Sequence, residues 1–427
     1  MSEEGESLLN GLGIPNRTRY FVYSVMVAFG LTSLLPWNII ITAHGYYAVK
    51  LNETHVNYIT EHFPSYFQIV GIGSHFLLSL SAVSFLKLGN LSSCIYQSNC
   101  VILFIFLLTT LFPLVNTSYW AVSFFGLSLV LFGASLALSA VYMSAMMGLS
   151  VLLTPNAVQG FYLGQGVAGL FAACLSLITL SMPHADPVTA GFYYFLVTSV
   201  YLAVSLLAFF FFNRNEFVRS SVRRASEQEH ASSLHLNKDE TLRQPGTIVL
   251  SVFKSIKKFC FVTTMTSTIT STCFPAALST LVSTDTTQDS MWVSTFFLPV
   301  VAFLFFALGD VLGRVTSSFI SVPSRKYLLP VASLRLLLIP LIFTCNLQPR
   351  GAWLPVLFHN DIAPAIFTLT LSWSNGHLQS LAAYYAPLQL DLHRDKATAS
   401  SLIAFSYSSG LLSGSVLVFI LCKLLNL

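Results

Sequence analysis

Apolar runs long enough to cross a lipid bilayer recur along the whole 427-residue chain. A helix needs about 20 mostly apolar residues to span the hydrocarbon core. A content of 54% hydrophobic and 9% charged residues also lies far outside the range of soluble globular proteins. The sequence therefore predicts an all-α integral membrane protein with eleven transmembrane helices, at approximately 20–43, 64–86, 101–118, 119–150, 157–182, 190–213, 256–283, 291–320, 327–346, 352–386 and 397–425.

The longest polar stretch, 214–255, divides these spans into a group of six (20–213) and a group of five (256–427), after a polar tail at 1–19. Ser, Glu, Lys, Arg and His dominate it, a composition typical of a disordered linker. With the tail in the cytoplasm, sixteen Lys and Arg fall on the cytoplasmic side and three on the opposite side. This positive-inside bias predicts that both the tail and the linker are cytoplasmic. The tail also lacks the basic start and apolar core of a signal peptide.

Two charged residues, Asp310 and Arg314, lie within the apolar run 291–320. A charge at mid-bilayer costs at least about 2.5–3.5 kcal/mol, so such residues usually face a bundle interior or a watery cavity. Four residues apart, they share one helix face and can neutralise each other. A carboxylate acceptor beside a guanidinium donor predicts a binding site for a small polar solute. The alternative is a structural ion pair that only allows the helix to insert, or one that locks two helices together.

Polar or helix-breaking residues interrupt four other spans. Pro36 should kink the first span beside Trp37 and Asn38, and the indole and amide could face a cavity or another helix. Ser372 to Ser380 is dense in polar groups, including Asn375 and Gly376. Arg335, nearer the inner end of its span, should snorkel or pair with loop carbonyls. His75 is an intramembrane histidine that could couple protons, although satisfied core histidines are commoner.

Residues 164–169, Gly-Gln-Gly-Val-Ala-Gly, match the dinucleotide-binding pattern, but that pattern requires a strand before it in a soluble βαβ unit. Inside an apolar span, Gly164, Gly166 and Gly169 predict a small-residue face for close helix packing. The cysteines have no metal-ligand spacing, and the sequence predicts neither a metal nor a cofactor. An intramembrane aspartyl hydrolase needs two carboxylates, and Asp310 stands alone, so the chain is not expected to be an enzyme. Asn52 is the best glycosylation candidate.

Several motifs, taken together and in order, resemble the equilibrative nucleoside transporter family over nearly the full chain. They are Leu34-Leu35-Pro36-Trp37-Asn38, Gly164-Gln165-Gly166, Phe274-Pro275-Ala276, Asp310 with Gly313-Arg314, Arg335 with Pro340, Ser374-Asn375-Gly376, and Gly410-Leu411. The resemblance implies a major-facilitator-like 6+5 arrangement whose halves rock around a central site and move nucleosides down their gradient. The substrate-binding positions it implies are Trp37, Asn38, Met143, Phe274, Phe303, Asp310, Arg314 and Leu411. Met143 stands where many members have a Gln.

The resemblance further implies purine and pyrimidine nucleosides as substrates, possibly nucleobases, with membrane lipid and no nucleic acid as partners, and a monomer. The alternatives are an organic cation or monoamine carrier, or a proton-coupled carrier, on the same scaffold. The plasma membrane is the favoured location. Glu4 with Leu8 and Leu9 fits an acidic dileucine signal, which would direct the chain to endosomes or lysosomes.

Overall fold

In a computed structural model, the chain is almost entirely helical. The structure describes residues 15–52, 57–182, 186–235, 245–285, 290–350 and 355–425. The tail with Glu4, Leu8 and Leu9 lies outside the described residues, as do the two residues that complete the Asn52 sequon. Asn52 itself ends a short helix and is exposed.

In the residues that the structure describes, the first half contains seven α-helices. They are α1 (Asn16–Thr42), α2 (His44–Asn52), α3 (Asn57–Phe85), α4 (Leu91–Leu111), α5 (Ala121–Leu153), α6 (Pro155–Leu180) and α7 (Pro187–Arg214). Helices α6 and α7 each begin with a proline, whose missing N–H costs nothing at that position. Thr154 caps α6 by accepting from the Ala157 amide, and Asp186 caps α7 by accepting from the Thr189 amide. Thus short polar sequences set where these two long apolar helices start.

The predicted disordered linker contains a helix, α8 (Glu216–His235), so that prediction is wrong for these residues. Val218, Ser221 and Ala225 are buried, and Val222 packs against the neighbouring apolar core. These positions follow the i, i+3, i+4, i+7 spacing of one helix face. The polar composition concealed a narrow apolar stripe, and tertiary packing of that stripe stabilises the helix.

The second half contains α9 (Pro245–Cys273), α10 (Phe305–Phe319), α11 (Leu328–Leu334), α12 (Leu338–Phe343), α13 (Ile362–Tyr385) and α14 (His393–Leu425). Two π-helical segments, Trp292–Phe296 and Pro299–Leu304, lead into α10, and a 3₁₀ turn at Arg335–Leu337 joins α11 to α12. Proline cannot donate a backbone hydrogen bond, and Pro299 begins the second widened segment.

Each predicted span coincides with a helix or a run of helical segments, and within the described ranges eight helices are long and apolar enough to cross a membrane. The predicted seventh, ninth and tenth spans fall outside these eight. Helix α9 carries lysines in its first half, α11 and α12 are short, and α13 contains the polar stretch from Ser372. The all-helical membrane architecture is confirmed, and the count of eleven stays a prediction.

The two halves share one apolar core at the end of the bundle where the linker lies. This shared core combines Phe29, Met143 and Phe161 of the first half with Ile256 and Leu402 of the second, and includes Val218 and Ala225 of α8. At the opposite end the buried apolar clusters separate. One uses only first-half residues, from Leu35 to Leu202, and another uses only second-half residues, from Ala277 to Val418. The halves are therefore sealed together at the linker end.

Candidate functional site

Asp310 and Arg314 form the ion pair that their four-residue spacing predicted. Nε of Arg314 donates to Oδ2 of Asp310 at 2.7 Å, and the side chains are only 10% and 4% exposed. Both residues lie on one face of α10 with Gly309, Gly313 and Ser317, which are also buried. Burial makes the pair far less sensitive to solvent screening than a surface ion pair. It therefore places a strong donor and acceptor in the interior of the bundle.

Arg314 also connects the two halves of the bundle. Its Nη1 donates to the Tyr162 carbonyl at 2.7 Å and to Oε1 of Gln165 at 3.3 Å, and both acceptors are on α6. The amide of Gln165 donates in turn to the Ser33 hydroxyl on α1, 3.3 Å away. One guanidinium thus holds the carboxylate of its own helix and the backbone of the facing half, a geometry that its fork of donors allows.

The second oxygen of Asp310 is bound by the second half alone. Nδ2 of Asn375 donates to Oδ1 at 2.8 Å, and Oδ1 of Asn375 accepts from the Thr270 hydroxyl at 3.0 Å. Thr270 accepts from Nη2 of Arg335 at 2.8 Å. Helices α9, α10 and α13 and the turn after α11 therefore meet at the carboxylate through a continuous chain of hydrogen bonds.

Arg335 does not snorkel toward a surface, which corrects that expectation. It is 4% exposed, and it donates to the helix carbonyls of Thr266 and Leu371, both at 2.9 Å, and to the Ser374 hydroxyl at 2.9 Å. The Ser/Thr-rich face of α9 and the facing turn of α13 supply these acceptors. Hydrogen bonding on this scale allows a cation to stay buried without a carboxylate in contact.

Glycines bring these helices close enough for the contacts to form. A methyl group at Gly166 of α6 would lie 2.8 Å from Cδ of Arg314 and 3.2 Å from Oδ2 of Asp310. At Gly376 of α13 it would overlap the Asp310 carbonyl, and at Gly164 it would overlap the Val27 carbonyl of α1. At Gly169 the nearest atom, Oδ1 of Asn38, is 3.7 Å away, which is ordinary contact. Close approach is thus required at Gly164, Gly166 and Gly376 and is absent at Gly169.

The aromatic candidates form two separate groups. Trp37 stacks on Phe132 with ring centroids 6.0 Å apart, beside the first-half cluster that contains Leu35. Phe274 packs edge-on to Phe303 at 5.6 Å and stacks on Phe306 at 3.8 Å. The structure therefore brings Phe274 and Phe303 together and places Trp37 in the other half.

The remaining candidates lie in different surroundings. The amide of Asn38 donates to the Leu34 carbonyl of its own helix at 2.9 Å, while Pro36 is buried within α1. The Leu411 carbonyl accepts from the Ser271 hydroxyl at 3.0 Å, and its side chain is partly exposed. Met143 is 1% exposed within the shared core, so a ligand contact there would need the linker end to open.

The sequence analysis did not single out Thr270, Tyr162 or Phe306. Thr270 lies in the hydroxyl-rich run 263–272, whose density within a predicted span was an available signal. The backbone carbonyl of Tyr162 has no sequence signal as an acceptor. Within the described ranges, no group of three or more His, Cys, Asp or Glu side chains could hold a metal ion.

Two helical halves, sealed at one end with a buried charged pair where they meet, define the chain as a helical membrane protein with the major-facilitator fold. Two solved structures share the fold. The alignment with the proton:xylose symporter XylE covers 94% of this chain and 88% of the XylE chain, with a TM-score of 0.62 at 11% identity. The transporter FucP in the outward conformation covers 93% and 92%, with a TM-score of 0.53 at 12% identity. The expected major-facilitator-like arrangement is confirmed.

The chain belongs to the nucleoside transporter family, whose model matches residues 127–423. It is 29% identical to equilibrative nucleoside transporter 2 of Homo sapiens, over 96% of this chain and 99% of that protein. It is 27% identical to equilibrative nucleoside transporter 3 of Rattus norvegicus, over 95% and 89% respectively. These matches confirm the resemblance seen in the motifs. The family is one of transporters, so the expectation that the chain is not an enzyme is confirmed as well.

Proposed function

We propose that this chain carries nucleosides across a membrane, down their gradient, by alternating exposure of a site between its halves. The observation that carries the proposal is the buried pair of Asp310 and Arg314, which offers an acceptor and a donor where the halves meet. A nucleoside is a neutral ligand with hydroxyls, base-edge donors and carbonyl acceptors. A ligand without these groups would leave the buried polar side chains unpaired. The site should therefore discriminate strongly against such ligands.

The arrangement of the apolar cores supports the alternating mechanism. The halves are sealed at the linker end by the shared core and by Arg314, and their apolar clusters are separate at the other end. Helix α3 of the first half also contacts helix α14 of the second half, where the Gln68 amide donates to the Ser415 hydroxyl at 3.1 Å. Rocking would break the shared core and join the two separate clusters. No bond of the solute is made or broken.

The aromatic candidates are proposed to hold the base. Phe274 and Phe303 form an edge-on aromatic pair in the second half, and Trp37 and Asn38 lie on α1 in the first half. Aromatic faces attract planar heterocycles through stacking. Asp310 and Arg314 then bind hydroxyls or a base edge, and Leu411 contributes an apolar contact. Met143 would join the site only when the linker end opens.

A direct test is uptake of labelled uridine, adenosine, a free nucleobase and an organic cation into proteoliposomes, each with and without a pH gradient. Saturable nucleoside entry that is independent of the gradient is expected. Protein carrying Asp310→Asn, reconstituted at the same density, is the matched control and should show no saturable entry. Uptake of the cation alone would overturn the proposal in favour of the organic cation alternative.

The proton-coupled alternative rests on a single contact. Nδ1 of His75 on α3 is hydrogen-bonded to the Ser408 hydroxyl on α14 at 2.8 Å, and both residues are buried. A histidine that joins the two halves could sense protons, although satisfied core histidines are commoner. In the same vesicles His75→Asn tests it, because an amide keeps a hydrogen bond to Ser408 and cannot carry a proton. We expect this variant to transport as the unaltered chain does.

We propose the plasma membrane as the location and a monomer as the working unit. The shared core and the Arg314 contacts join the halves within one chain, so the site is complete without a second copy. Surface labelling of the full-length protein in cells, followed by size determination in detergent with the bound lipid accounted for, tests both points. Residence only in acidic vesicles would overturn the proposed location.

A further inference from the structure

We propose that Thr270 and Asn375 are positioning residues, which together with Arg335 orient the Asp310 carboxylate toward the transported solute. The inference rests on the proposed function, because it assigns Asp310 to solute binding. It concerns residues of the second half only. In this relay, each hydrogen bond fixes the direction of the next.

The direction is set by the two ends of the relay, because the Arg335 guanidinium has donors and no acceptor and the Asp310 carboxylate has acceptors and no donor. Thr270 must therefore use its oxygen to accept from Nη2 of Arg335 at 2.8 Å. A hydroxyl has one proton, and the Thr270 proton is committed to Oδ1 of Asn375 at 3.0 Å. Thr270 donates because the NH₂ group of Asn375 is turned to the Asp310 carboxylate, which leaves the amide oxygen facing the hydroxyl.

The same logic fixes the amide of Asn375. Its oxygen faces Thr270, so its NH₂ group faces Asp310 and donates to Oδ1 at 2.8 Å. The hydrogen-bond network sets which end of the Asn375 amide faces Asp310. A flipped amide would set two acceptor oxygens against each other at Asp310. The donor-only Arg335 and the acceptor-only Asp310 thus fix, from the two ends, the direction of both hydrogen bonds made by the neutral side chains between them.

Asp310 is consequently held at both oxygens, by Arg314 at Oδ2 and by Asn375 at Oδ1. A carboxylate has about four acceptor positions, so two bonds fix its rotation and leave capacity for a ligand. Close packing of α10 on α13 maintains this geometry. A methyl group at Gly376 would lie 3.0 Å from Oδ1 of Asp310, and one at Gly313 would overlap the Trp373 carbonyl.

The test compares two identical substitutions on one helix face. Thr270→Val removes the relay hydroxyl and keeps the side-chain shape, whereas Thr270→Ser keeps the hydroxyl. Thr263→Val is the matched control, because Thr263 is 0% exposed and its hydroxyl has no partner in the part of the chain that the structure describes. The readouts are KM and Vmax per surface copy for uridine and for its single-hydroxyl-deleted analogues.

For Thr270→Val we expect KM to rise about tenfold with Vmax nearly unchanged, the size expected when a hydrogen bond to a charged group is lost. In the unaltered chain, one hydroxyl-deleted analogue should show the largest rise in KM relative to uridine. In Thr270→Val that rise should be smaller by a similar factor. Thr270→Ser and Thr263→Val should keep both values. If Thr270→Val matches Thr263→Val while the unaltered chain transports uridine, the relay is overturned and the proposed function stands. If the unaltered chain takes up no nucleoside, both are overturned.

A second variant keeps the proposal testable if Thr270→Val does not reach the membrane. Asn375→Asp is nearly isosteric and places a carboxylate oxygen, in place of the NH₂ group, against Oδ1 of Asp310. Uptake should fall about tenfold or more at neutral pH. Mild acidification should restore part of it relative to the unaltered chain, because a protonated carboxyl can again donate. A loss that is the same at both pH values would indicate a purely structural role and contradict the relay.

Discussion

Gly166→Ala should shift the carrier away from the state sealed at the linker end. The added methyl group would lie 2.8 Å from Cδ and 3.1 Å from Nε of Arg314. Carbon atoms pack at about 3.5–4.0 Å, so α6 and α10 must separate, or Arg314 must move, by about 0.7–1.2 Å. The bond from Nη1 of Arg314 to the Tyr162 carbonyl, now 2.7 Å, would then stretch beyond hydrogen-bonding range.

The expected cost to the sealed state is about 1–3 kcal/mol, which is typical of over-packing a buried contact. In a carrier with two states, this changes their ratio by about 5- to 150-fold. Vmax for uridine should fall because the cycle spends less time in the sealed state. The state open at the linker end does not contain the contact between Gly166 and Arg314, so it should not suffer the penalty.

The assay measures uridine uptake together with labelling of Cys260, which is buried in the shared core, in a background where it is the only cysteine. Gly166→Ala should lower Vmax and speed labelling by a membrane-impermeant thiol reagent applied from the linker side. Gly169→Ala is the control, because the same methyl group on the same helix would meet nothing closer than 3.7 Å. If the two variants transport and label alike, the reasoning from close packing is refuted.

Three further outcomes are expected. Arg314→Ala should abolish uptake while largely preserving surface delivery, because it leaves Asp310 with a single donor and removes the hydrogen bonds to α6. Normal uptake by well-delivered protein would exclude a role of Arg314 in substrate binding. Val218→Asp should lower the melting temperature of the purified protein, because a charge enters the shared core at a cost of several kcal/mol; the exposed Glu227→Gln should not. Replacing Leu8 and Leu9 with Ala should leave the distribution between cell surface and vesicles unchanged if the dileucine pattern is a chance match, and a shift to the surface would show that it is read.

The architecture was predictable because the bilayer imposes it. Apolar runs of bilayer length and a buried charge pair at i, i+4 follow from the cost of charge and unpaired backbone in hydrocarbon, so the sequence alone indicated both the all-helical class and the pair of Asp310 with Arg314. The family motifs added the major-facilitator-like arrangement. The helix at Glu216–His235 was missed, because a buried stripe of three apolar residues and one serine is invisible to a composition argument about a polar segment.

The partners of the charged residues were not predictable from spacing. Whether Arg335 snorkels or stays buried depends on acceptors from α9 and α13, which approach it only in the folded bundle. Likewise, Arg314 reaches a backbone carbonyl of α6, and a carbonyl has no sequence signature. Periodicity within one helix identifies the buried face. It does not identify the residue of another helix at the same depth.

The charge balance of the site bears on which solute it can accept. Among the described residues, Asp310 is the only buried acidic side chain, and it faces Arg314 directly and Arg335 through Asn375 and Thr270. One carboxylate between two guanidinium groups leaves a net positive charge in a medium of low dielectric constant. An organic cation would be repelled there, since like charges interact most strongly where water is excluded. A neutral solute rich in acceptors faces no such barrier, and a nucleoside, with its ring hydroxyls and base carbonyls, fits this charge distribution.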